Sequence, residues 1–303
     1  MTDIALKAAL VHWGHVGAKV TLIAARENHV YRVDTARGPL ALRLHRAGYR
    51  SAAELQSELQ WMQMLANGGI TVPASIRARD GSLFLTLGDT VIDLLSWIEG
   101  VPLSQVPDVE NRPDLYRELG RQMAQMHDLA DRWSPPAGFA RPTWDIDGLL
   151  GQSPLWGRFW DNPTLTTGQA ARLADFREVA REKLADTTDY GLVHVDLVPD
   201  NVMISHAGLH PIDFDDGGFG YRLFDLATVT HRALRTAPHG VLKHALIDGY
   251  TDVRTIDLAQ LKLFEALRAC TYVGWIITRM KEGGAQARNT RFITEAIARI
   301  DAL

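Results

Sequence analysis

The sequence changes its hydrophobic period near residue 51, and this change is the strongest constraint on the fold. Upstream, short runs of apolar and β-branched residues are separated by polar or glycine-containing turns, as in a sheet. Three strands are predicted there, at residues 19–24, 30–33 and 40–44. From Ser51 to Gly68 the apolar residues recur at three- and four-residue steps, which predicts an amphipathic helix. Two further strands are predicted, at residues 82–87 and 90–95.

Beyond about residue 100 the pattern is mainly helical. Helices are predicted at residues 114–132, 169–184, 223–234, 241–250, 258–280 and 289–300, and short strands at 191–193, 202–204 and 209–212. Residues 133–165, rich in Pro, Gly and Trp, predict a structured insertion. We therefore expect an α+β fold with two lobes. Residues 1–98 would form an antiparallel-sheet lobe with one key helix, and residues 99–303 a mainly helical lobe.

Composition argues against several classes of protein. The formal net charge of −4 disfavours nucleic-acid binding, because contacts with phosphate need a basic surface. The single cysteine, Cys270, rules out an internal disulfide framework and fits a reducing compartment. No apolar run has the length of a membrane span, and the first residues lack the pattern of a signal peptide. We expect a soluble cytoplasmic protein with no nucleic-acid or membrane partner, and the sequence leaves its oligomeric state open.

The residues that carry chemistry lie between positions 193 and 216. Asp196 falls in a predicted loop, Asn201 follows five positions later, and Asp213 ends a predicted strand twelve residues after Asn201. Phosphoryl transfer uses these residue types: a carboxylate to orient the attacking hydroxyl, and an Asn and an Asp to hold Mg²⁺ against the phosphates. Magnesium prefers hard oxygen ligands and keeps several waters, so two protein oxygens suffice. The pattern therefore predicts a phosphotransferase.

The chain resembles the aminoglycoside phosphotransferase/choline kinase family, which has a protein-kinase-like fold. The resemblance rests on HVDLVPDN at residues 194–201 and IDFDD at residues 212–216, with residues 119–127 and 225–227 in support. It extends from about residue 24 to about residue 280 and points to the branch with type II homoserine kinases and the bacterial stress-response kinase. The resemblance implies Asp196 as the catalytic base, Asn201 and Asp213 as metal ligands, and Asp225 as an anchor of the catalytic loop.

The resemblance also implies a nucleotide site in the first lobe. Residues 27–33 correspond to the family's nucleotide loop, with Asn28 as a candidate contact. Arg43 occupies the position of the phosphate-binding lysine, and Glu58 is a better candidate than Glu54 for its partner on the helix. Ser96 and Ile98 lie in the segment that corresponds to the hinge, whose backbone would bind adenine; ATP and Mg²⁺ are the implied cofactors.

Two positions depart from the family pattern. Val195 replaces the usual glycine between the His and the Asp of the loop, although protein kinases accept a large residue there. Arg43 replaces lysine, and a guanidinium is bulkier than an ammonium and not interchangeable with it. Relatives in the homoserine-kinase branch also have arginine, so we interpret Arg43 as a variant phosphate ligand.

Structural interpretations compete with several functional ones. Arg43 and Glu58 could form an ordinary surface pair. Asp215 and Asp216 are interpreted as a solvated acidic turn in preference to ligands, and His127 as a hydrogen-bonded core residue. The tryptophans of the insertion could form a cage for a cationic substrate, but such residues more often pack an irregular segment onto the core. The tryptophans concerned are Trp133, Trp144, Trp156 and Trp160.

These observations lead to one hypothesis and three alternatives. We expect an ATP- and Mg²⁺-dependent kinase that phosphorylates a hydroxyl of a small molecule: an amino alcohol, an amino acid such as homoserine, or a sugar or aminoglycoside-like compound. The alternatives are a serine/threonine protein kinase of the stress-response type, a nucleotide-binding pseudokinase and, least favoured, a metal-dependent hydrolase.

Overall fold

The structure is a computed structural model that describes residues 2–25, 28–233 and 240–303, without the side chains of residues 2, 232 and 233. Glu27 of the expected nucleotide loop and Leu234, the expected end of a helix, lie outside the described residues. The chain forms two compact units. The first contains Met1–Val101, Trp133–Arg141 and Met203–Asp215, and the second contains Pro102–Arg132, Pro142–Val202 and Asp216–Leu303. The predicted lobe bounds, 1–98 and 99–303, stay a prediction.

The first unit is built on a five-stranded antiparallel sheet of order β1-β2-β3-β5-β4. Its strands are β1 (Lys19–Ala25), β2 (His29–Thr35), β3 (Gly38–Leu44), β4 (Phe84–Leu87) and β5 (Thr90–Ser96). All five were expected from short runs of apolar and β-branched residues between turns. In the register of β3 with β5, Arg43 lies directly opposite Asp93. The sheet thus places a cation and an anion side by side on two central strands.

Two helices accompany this sheet. The expected helix is α2 (Ala52–Asn67), which begins with a capping box: the Ser51 side chain accepts from the Glu54 amide, and the Glu54 carboxylate accepts from the Ser51 amide. A further helix, α1 (Thr2–Trp13), was not predicted. It buries Ala5, Ala9 and Trp13 against the sheet. Two of these three residues are alanines, so the buried stripe gives little hydrophobic contrast in the sequence.

The second unit is mainly helical, as expected. Its helices are α3 (Pro113–Arg132), α4 (Ile146–Leu150), α5 (Thr167–Leu184), α6 (Arg222–Ala233), α7 (Val241–Thr251), α8 (Leu261–Trp275) and α9 (Ala285–Asp301). After α8 the chain continues as a short 3-10 helix, Ile276–Arg279, so the helix predicted to reach residue 280 is α-helical only to Trp275. No described helix is both long and apolar enough to cross a membrane.

Short strands frame the predicted catalytic loop. Numbered in chain order, they are β6 (Val101–Pro102), β7 (Thr143–Trp144), β8 (Tyr190–Val193), β9 (Val202–Ser205), β10 (Gly208–Pro211) and β11 (Gly218–Tyr221). They form two three-stranded sheets, β10-β9-β6 and β7-β11-β8. Strand β11, Gly-Phe-Gly-Tyr in sequence, was not predicted because glycine disfavours strands.

Candidate active site

The loop from His194 to Asn201 connects β8 to β9 and ends in a short 3-10 helix, Pro199–Asn201. Its first turn is sharp: the Asp196 amide donates to the His194 carbonyl at 2.8 Å, and Val195 between them has a φ of 70°. A positive φ is strained for a β-branched residue and persists only where the surroundings enforce it. This is the position at which the family usually has glycine.

Asp225 on α6 enforces this turn. Its Oδ2 accepts from the His194 amide at 2.8 Å and its Oδ1 from the Val195 amide at 2.6 Å. On the other side of the turn, the Thr228 hydroxyl donates to the Val195 carbonyl at 3.0 Å. The prediction that Asp225 anchors the loop from the following helix is confirmed.

Asp225 is itself held by α3 and α7. The His127 Nε2 lies 3.0 Å from Asp225 Oδ2, and its Nδ1 lies 2.9 Å from the Tyr250 hydroxyl. His127 is 1% exposed, so its interpretation as a hydrogen-bonded core residue is confirmed. Burial raises the pKa of the Asp225 carboxyl, but bonds and charge from His127 and His194 outweigh this and hold it below the ordinary value. Asp225 therefore stays an anion in the core.

The second unit brings Asp196 and Asn201 together. The Asn201 Nδ2 donates to the Asp196 carbonyl at 2.9 Å and to its Oδ2 at 3.1 Å. With the amide nitrogen used in this way, the amide oxygen of Asn201 is the atom suited to a cation. The other carboxylate oxygen of Asp196, Oδ1, accepts from Arg268 Nη2 at 2.6 Å. Sequence reasoning did not single out Arg268.

The tryptophans of residues 133–165 have partners within the protein. Trp156 and Trp160 each face an arginine: the Arg268 guanidinium lies 4.5 Å from the Trp156 ring and that of Arg177 lies 4.3 Å from the Trp160 ring. Trp144 is 1% exposed and lies against Trp156, with ring centroids 4.5 Å apart. These rings pack the segment and hold internal cations, so the packing interpretation is confirmed.

In the first unit, Arg43 binds two carboxylates. Its Nη1 donates to Glu58 Oε1 at 2.8 Å, while Nε and Nη2 donate to the two oxygens of Asp93 at 3.0 and 2.5 Å. All three residues are at most 6% exposed, so this is not an ordinary surface pair. Burial lowers the pKa of Arg43, but the charges of Asp93 and Glu58 raise it by more, so that this pKa lies well above the ordinary value. Three of its five N–H groups serve these bonds, which leaves two; the nucleotide-binding roles of Arg43 and Glu58 stay predictions.

Arg141 connects this cluster to the segment that contains Asp213. Its Nη2 donates to the carbonyls of Phe214 and Asp215 at 2.8 and 2.6 Å, and its Nη1 lies 3.5 Å from Glu58 Oε2. Asp213 is exposed and has a φ of 65°, a left-handed conformation that Asp tolerates better than most residues. The role of Asp213 as a metal ligand stays a prediction.

Asp215 is not a solvated turn residue, and that interpretation was wrong. It is 5% exposed, and its Oδ2 accepts from Asn28 Nδ2 at 3.4 Å. Burial and the charge of Glu58 raise the pKa of the Asp215 carboxyl. Two adjacent acids usually indicate an exposed turn, but here Arg50 and Arg141, both distant in sequence, donate to the Asp215 carbonyl. The local sequence does not show these contacts.

The remaining predicted site residues, Asn28, Ser96 and Ile98, belong to the first unit. The Asn28 Oδ1 accepts from the Arg46 amide at 3.2 Å. Ser96 ends β5, where its amide donates to the Ala74 carbonyl and its hydroxyl accepts from the Ala74 amide, both at 2.8 Å. Ile98 follows outside any helix or strand and is partly exposed. The nucleotide-binding roles of Asn28, Ser96 and Ile98 stay predictions.

Lysine should not replace Arg43 without loss, although lysine is usual in the family. We expect Arg43→Lys to lower the free energy of unfolding by about 2 kcal/mol, because a single ammonium nitrogen cannot reach the three carboxylate oxygens that the three guanidinium nitrogens bind. Urea unfolding measures the change. The control is Arg32→Lys, since Arg32 pairs with Asp34 at 2.8 Å on the neighbouring strand but both side chains are a third or more exposed. There the expected change is below about 0.5 kcal/mol, and equal losses in the two variants would contradict this account.

Known proteins resemble this chain over most of its length. An amicoumacin kinase from Bacillus subtilis is 28% identical over 235 residues, which are 76% of this chain and 67% of that protein. A homoserine kinase from Sinorhizobium fredii is 25% identical over 269 residues, or 84% of this chain and 76% of that protein. The solved structure of a microcompartment-associated aminopropanol kinase has a TM-score of 0.87 and 27% identity, and the match covers 99% of this chain and 97% of that one.

These findings confirm the expected kinase-like α+β fold and the family resemblance. The family match extends over residues 19–264, a range that contains Arg43, Glu58, Asp196, Asn201 and Asp213. The chain is therefore a phosphotransferase and belongs to the phosphotransferase enzyme family (APH).

Proposed function

We propose that the protein transfers the γ-phosphoryl group of ATP to a hydroxyl of a small molecule, with Mg²⁺ as the divalent cation. The acceptor would be an amino alcohol, a hydroxyl-bearing amino acid such as homoserine, or a sugar. The observation that carries the proposal is the loop from His194 to Asn201, in which a buried anion fixes a strained turn and thereby orients Asp196 and Asn201. Such rigid placement is what phosphoryl transfer asks of a protein, since catalysis is mostly positioning and electrostatics.

In this proposal Asp196 accepts a hydrogen bond from the acceptor hydroxyl. The hydroxyl oxygen attacks the γ-phosphorus, the bond from that phosphorus to the β-bridging oxygen breaks, and ADP leaves with the electron pair. The hydroxyl proton passes to the Asp196 carboxylate and from there to solvent. Arg43 holds phosphate oxygens with its two remaining N–H groups, while Asp93 and Glu58 keep its guanidinium fixed.

The residues available for the metal fit magnesium in kind. Asn201 offers an amide oxygen and Asp213 a carboxylate, both hard donors, and phosphate and water would complete the coordination. Within the described ranges no cluster of three or more His, Cys, Asp and Glu side chains is suited to a metal, but a two-oxygen site needs none. Bound magnesium would neutralise charge that develops on the phosphates.

Local partners of the acidic residues favour a small acceptor over a polycation. Asp145 caps α4, with its Oδ1 accepting from the Gly148 amide at 2.8 Å. Asp161 lies 3.3 Å from Arg158, and Asp147 lies 3.6 Å from Arg181. An aminoglycoside carries several ammonium groups and would need acids that are not already neutralised. The similarity to an aminopropanol kinase and a homoserine kinase, whose names denote an amino alcohol and a hydroxy amino acid, agrees with this preference.

A panel screen for ADP release tests the proposal. We expect an amino alcohol or hydroxy amino acid to stimulate ADP release from Mg·ATP at least about tenfold over buffer, because an oriented hydroxyl reacts far faster than water. Chelation of the metal should abolish the stimulation. Release stimulated only by a cell-protein fraction would favour a protein kinase instead. Binding of Mg·ATP without stimulated release by any fraction would favour a nucleotide-binding regulator. The cytoplasmic location stays a prediction.

A further inference from the structure

Arg268 contacts the carboxylate of Asp196 but has no role in the reaction proposed above. It lies on α8, is 1% exposed, and its Nη2 donates to Asp196 Oδ1 at 2.6 Å. Asn201 donates to the other carboxylate oxygen, Oδ2, at 3.1 Å. Each oxygen of Asp196 thus has a different partner, and the rotation of the carboxylate about its Cβ–Cγ bond is fixed.

The guanidinium of Arg268 lies over two aromatic rings. Its central carbon lies 4.5 Å from the Trp156 ring and 4.4 Å from the Tyr272 ring, and its Nη2 also donates to the Tyr272 hydroxyl at 3.0 Å. A desolvated guanidinium is attracted to the face of an aromatic ring, so both rings stabilise this position. Any movement of the guanidinium would break its contacts with both rings. Arg268 is therefore held in place and can fix the orientation of the Asp196 carboxylate.

The rings are themselves supported. Trp156 lies against Trp144, with centroids 4.5 Å apart, and Tyr272 stacks on Phe292 at 5.0 Å and 22°. Arg268 and Tyr272 are four residues apart on one face of α8, so the helix presents both to the loop that bears Trp156.

A close approach of two glycines keeps that loop in place. A Cβ on Gly274 of α8 would meet the Gly157 carbonyl oxygen at 2.4 Å. The two backbones are therefore in contact next to Trp156. Substitution of Gly274 would push the loop away from α8.

We propose that Arg268 is a positioning residue for the catalytic carboxylate: it fixes Oδ1 of Asp196 so that the acceptor hydroxyl meets Oδ2. The inference rests on the proposed function, because it takes Asp196 as the group that receives the hydroxyl. Asp196 is 30% exposed at its side chain whereas Arg268 is 1% exposed, so the acceptor can reach the carboxylate while the cation behind it stays in the core.

Chemical rescue tests this role. We expect Arg268→Ala to lower kcat about a hundredfold, since misplacement by about 1 Å can cost that much, with little change in the KM for ATP. The truncation leaves a flat cavity beside two rings, so millimolar guanidinium chloride should restore kcat about tenfold. Urea has the same shape without charge and should not restore it.

A matched control separates this role from general packing. Arg177 also stacks on a tryptophan, Trp160, and pairs with a carboxylate, Glu178, at 2.7 Å. Arg177→Ala should keep wild-type kcat and show no response to guanidinium. Should Arg268→Ala fail to fold, Arg268→Lys and Arg268→Met replace it, and the charged lysine variant should have the higher kcat. Equal loss in these two variants, or rescue by urea as good as that by guanidinium, would overturn the proposal.

Asp196→Asn distinguishes failure of the inference from failure of the proposed function. If that variant keeps wild-type activity, the assignment of Asp196 fails, and the role of Arg268 fails with it. If it is inactive while Arg268→Ala keeps wild-type kcat, the proposed function stands and only the positioning role is lost.

Discussion

Asp196→Asn should lower kcat for phosphoryl transfer about a thousandfold. The amide has nearly the shape of the carboxylate, but it cannot accept the hydroxyl proton. Asn201 Nδ2 and Arg268 Nη2 each donate to one oxygen of the carboxylate. Whichever way the new amide is turned, its NH₂ group would therefore face one of these two donors. The loss should appear in kcat, with the Kd for Mg·ATP within about threefold of wild type, since Arg43 and its partners are unchanged.

Initial rates with the best acceptor and calorimetric titration with Mg·ATP measure the two quantities. Asp186→Asn, the same change at an exposed carboxylate, is the control and should leave both values unchanged. A variant that loses ATP affinity along with turnover would point to a structural role for Asp196. A variant with full turnover would remove Asp196 from the mechanism.

Much of the fold could be predicted because its signals are local. The five strands of the first sheet follow from short apolar and β-branched runs between turns, and α2 follows from the three- and four-residue spacing of apolar residues after Ser51. Helix α1 and strand β11 were not predicted. The buried stripe of α1 is mostly alanine and β11 is half glycine, so neither shows the usual hydrophobic pattern of a helix or a strand. Contacts between residues distant in sequence leave no local pattern, so they could not be predicted in this way.

The candidate site divides in the same way. Asp196 and Asn201 lie five residues apart, so their spacing could be read from the sequence, whereas Arg268 is 72 residues from Asp196. Asp93, opposite Arg43 and 50 residues from it, could have been noticed as a lone acid within an apolar strand, since buried charges are normally paired. Arg141 gives no such sign, because its partners are mostly backbone carbonyls.

Asp225→Asn should combine a large loss of stability with a large loss of activity. One side-chain oxygen can accept from only one of the His194 and Val195 amides, and the NH₂ group would face the other donor. Losing a buried, hydrogen-bonded charge costs about 3–5 kcal/mol in unfolding free energy. The positive φ of Val195 would no longer be enforced, so Asp196 should move and kcat should fall about a hundredfold.

Asp301→Asn is the matched control for stability. It also removes a carboxylate that accepts two bonds from one arginine, Arg172, at 3.1 and 2.7 Å, but on the surface, so we expect a loss below about 0.5 kcal/mol. If Asp225→Asn does not fold, Thr228→Val is a milder test, because it removes one neutral hydroxyl, which lies 3.0 Å from the Val195 carbonyl and 2.9 Å from the Phe224 carbonyl. Asp225→Asn with the stability and kcat of wild type would contradict the anchoring role.

The pH dependence gives an independent check on Asp225. The folded-state pKa of its carboxyl is depressed, because bonds and charge from His127 and His194 outweigh the opposing effect of burial. A group of this kind contributes its full stability above its unfolded pKa of about 3.9 and loses it as the pH falls through the lower folded value. The difference in unfolding free energy between wild type and Asp225→Asn should therefore be constant from about pH 8 to pH 5 and shrink below about pH 4. A difference that instead grows on acidification would mean that the carboxyl is protonated in the folded protein, and the anion that holds the catalytic turn would have to be sought elsewhere.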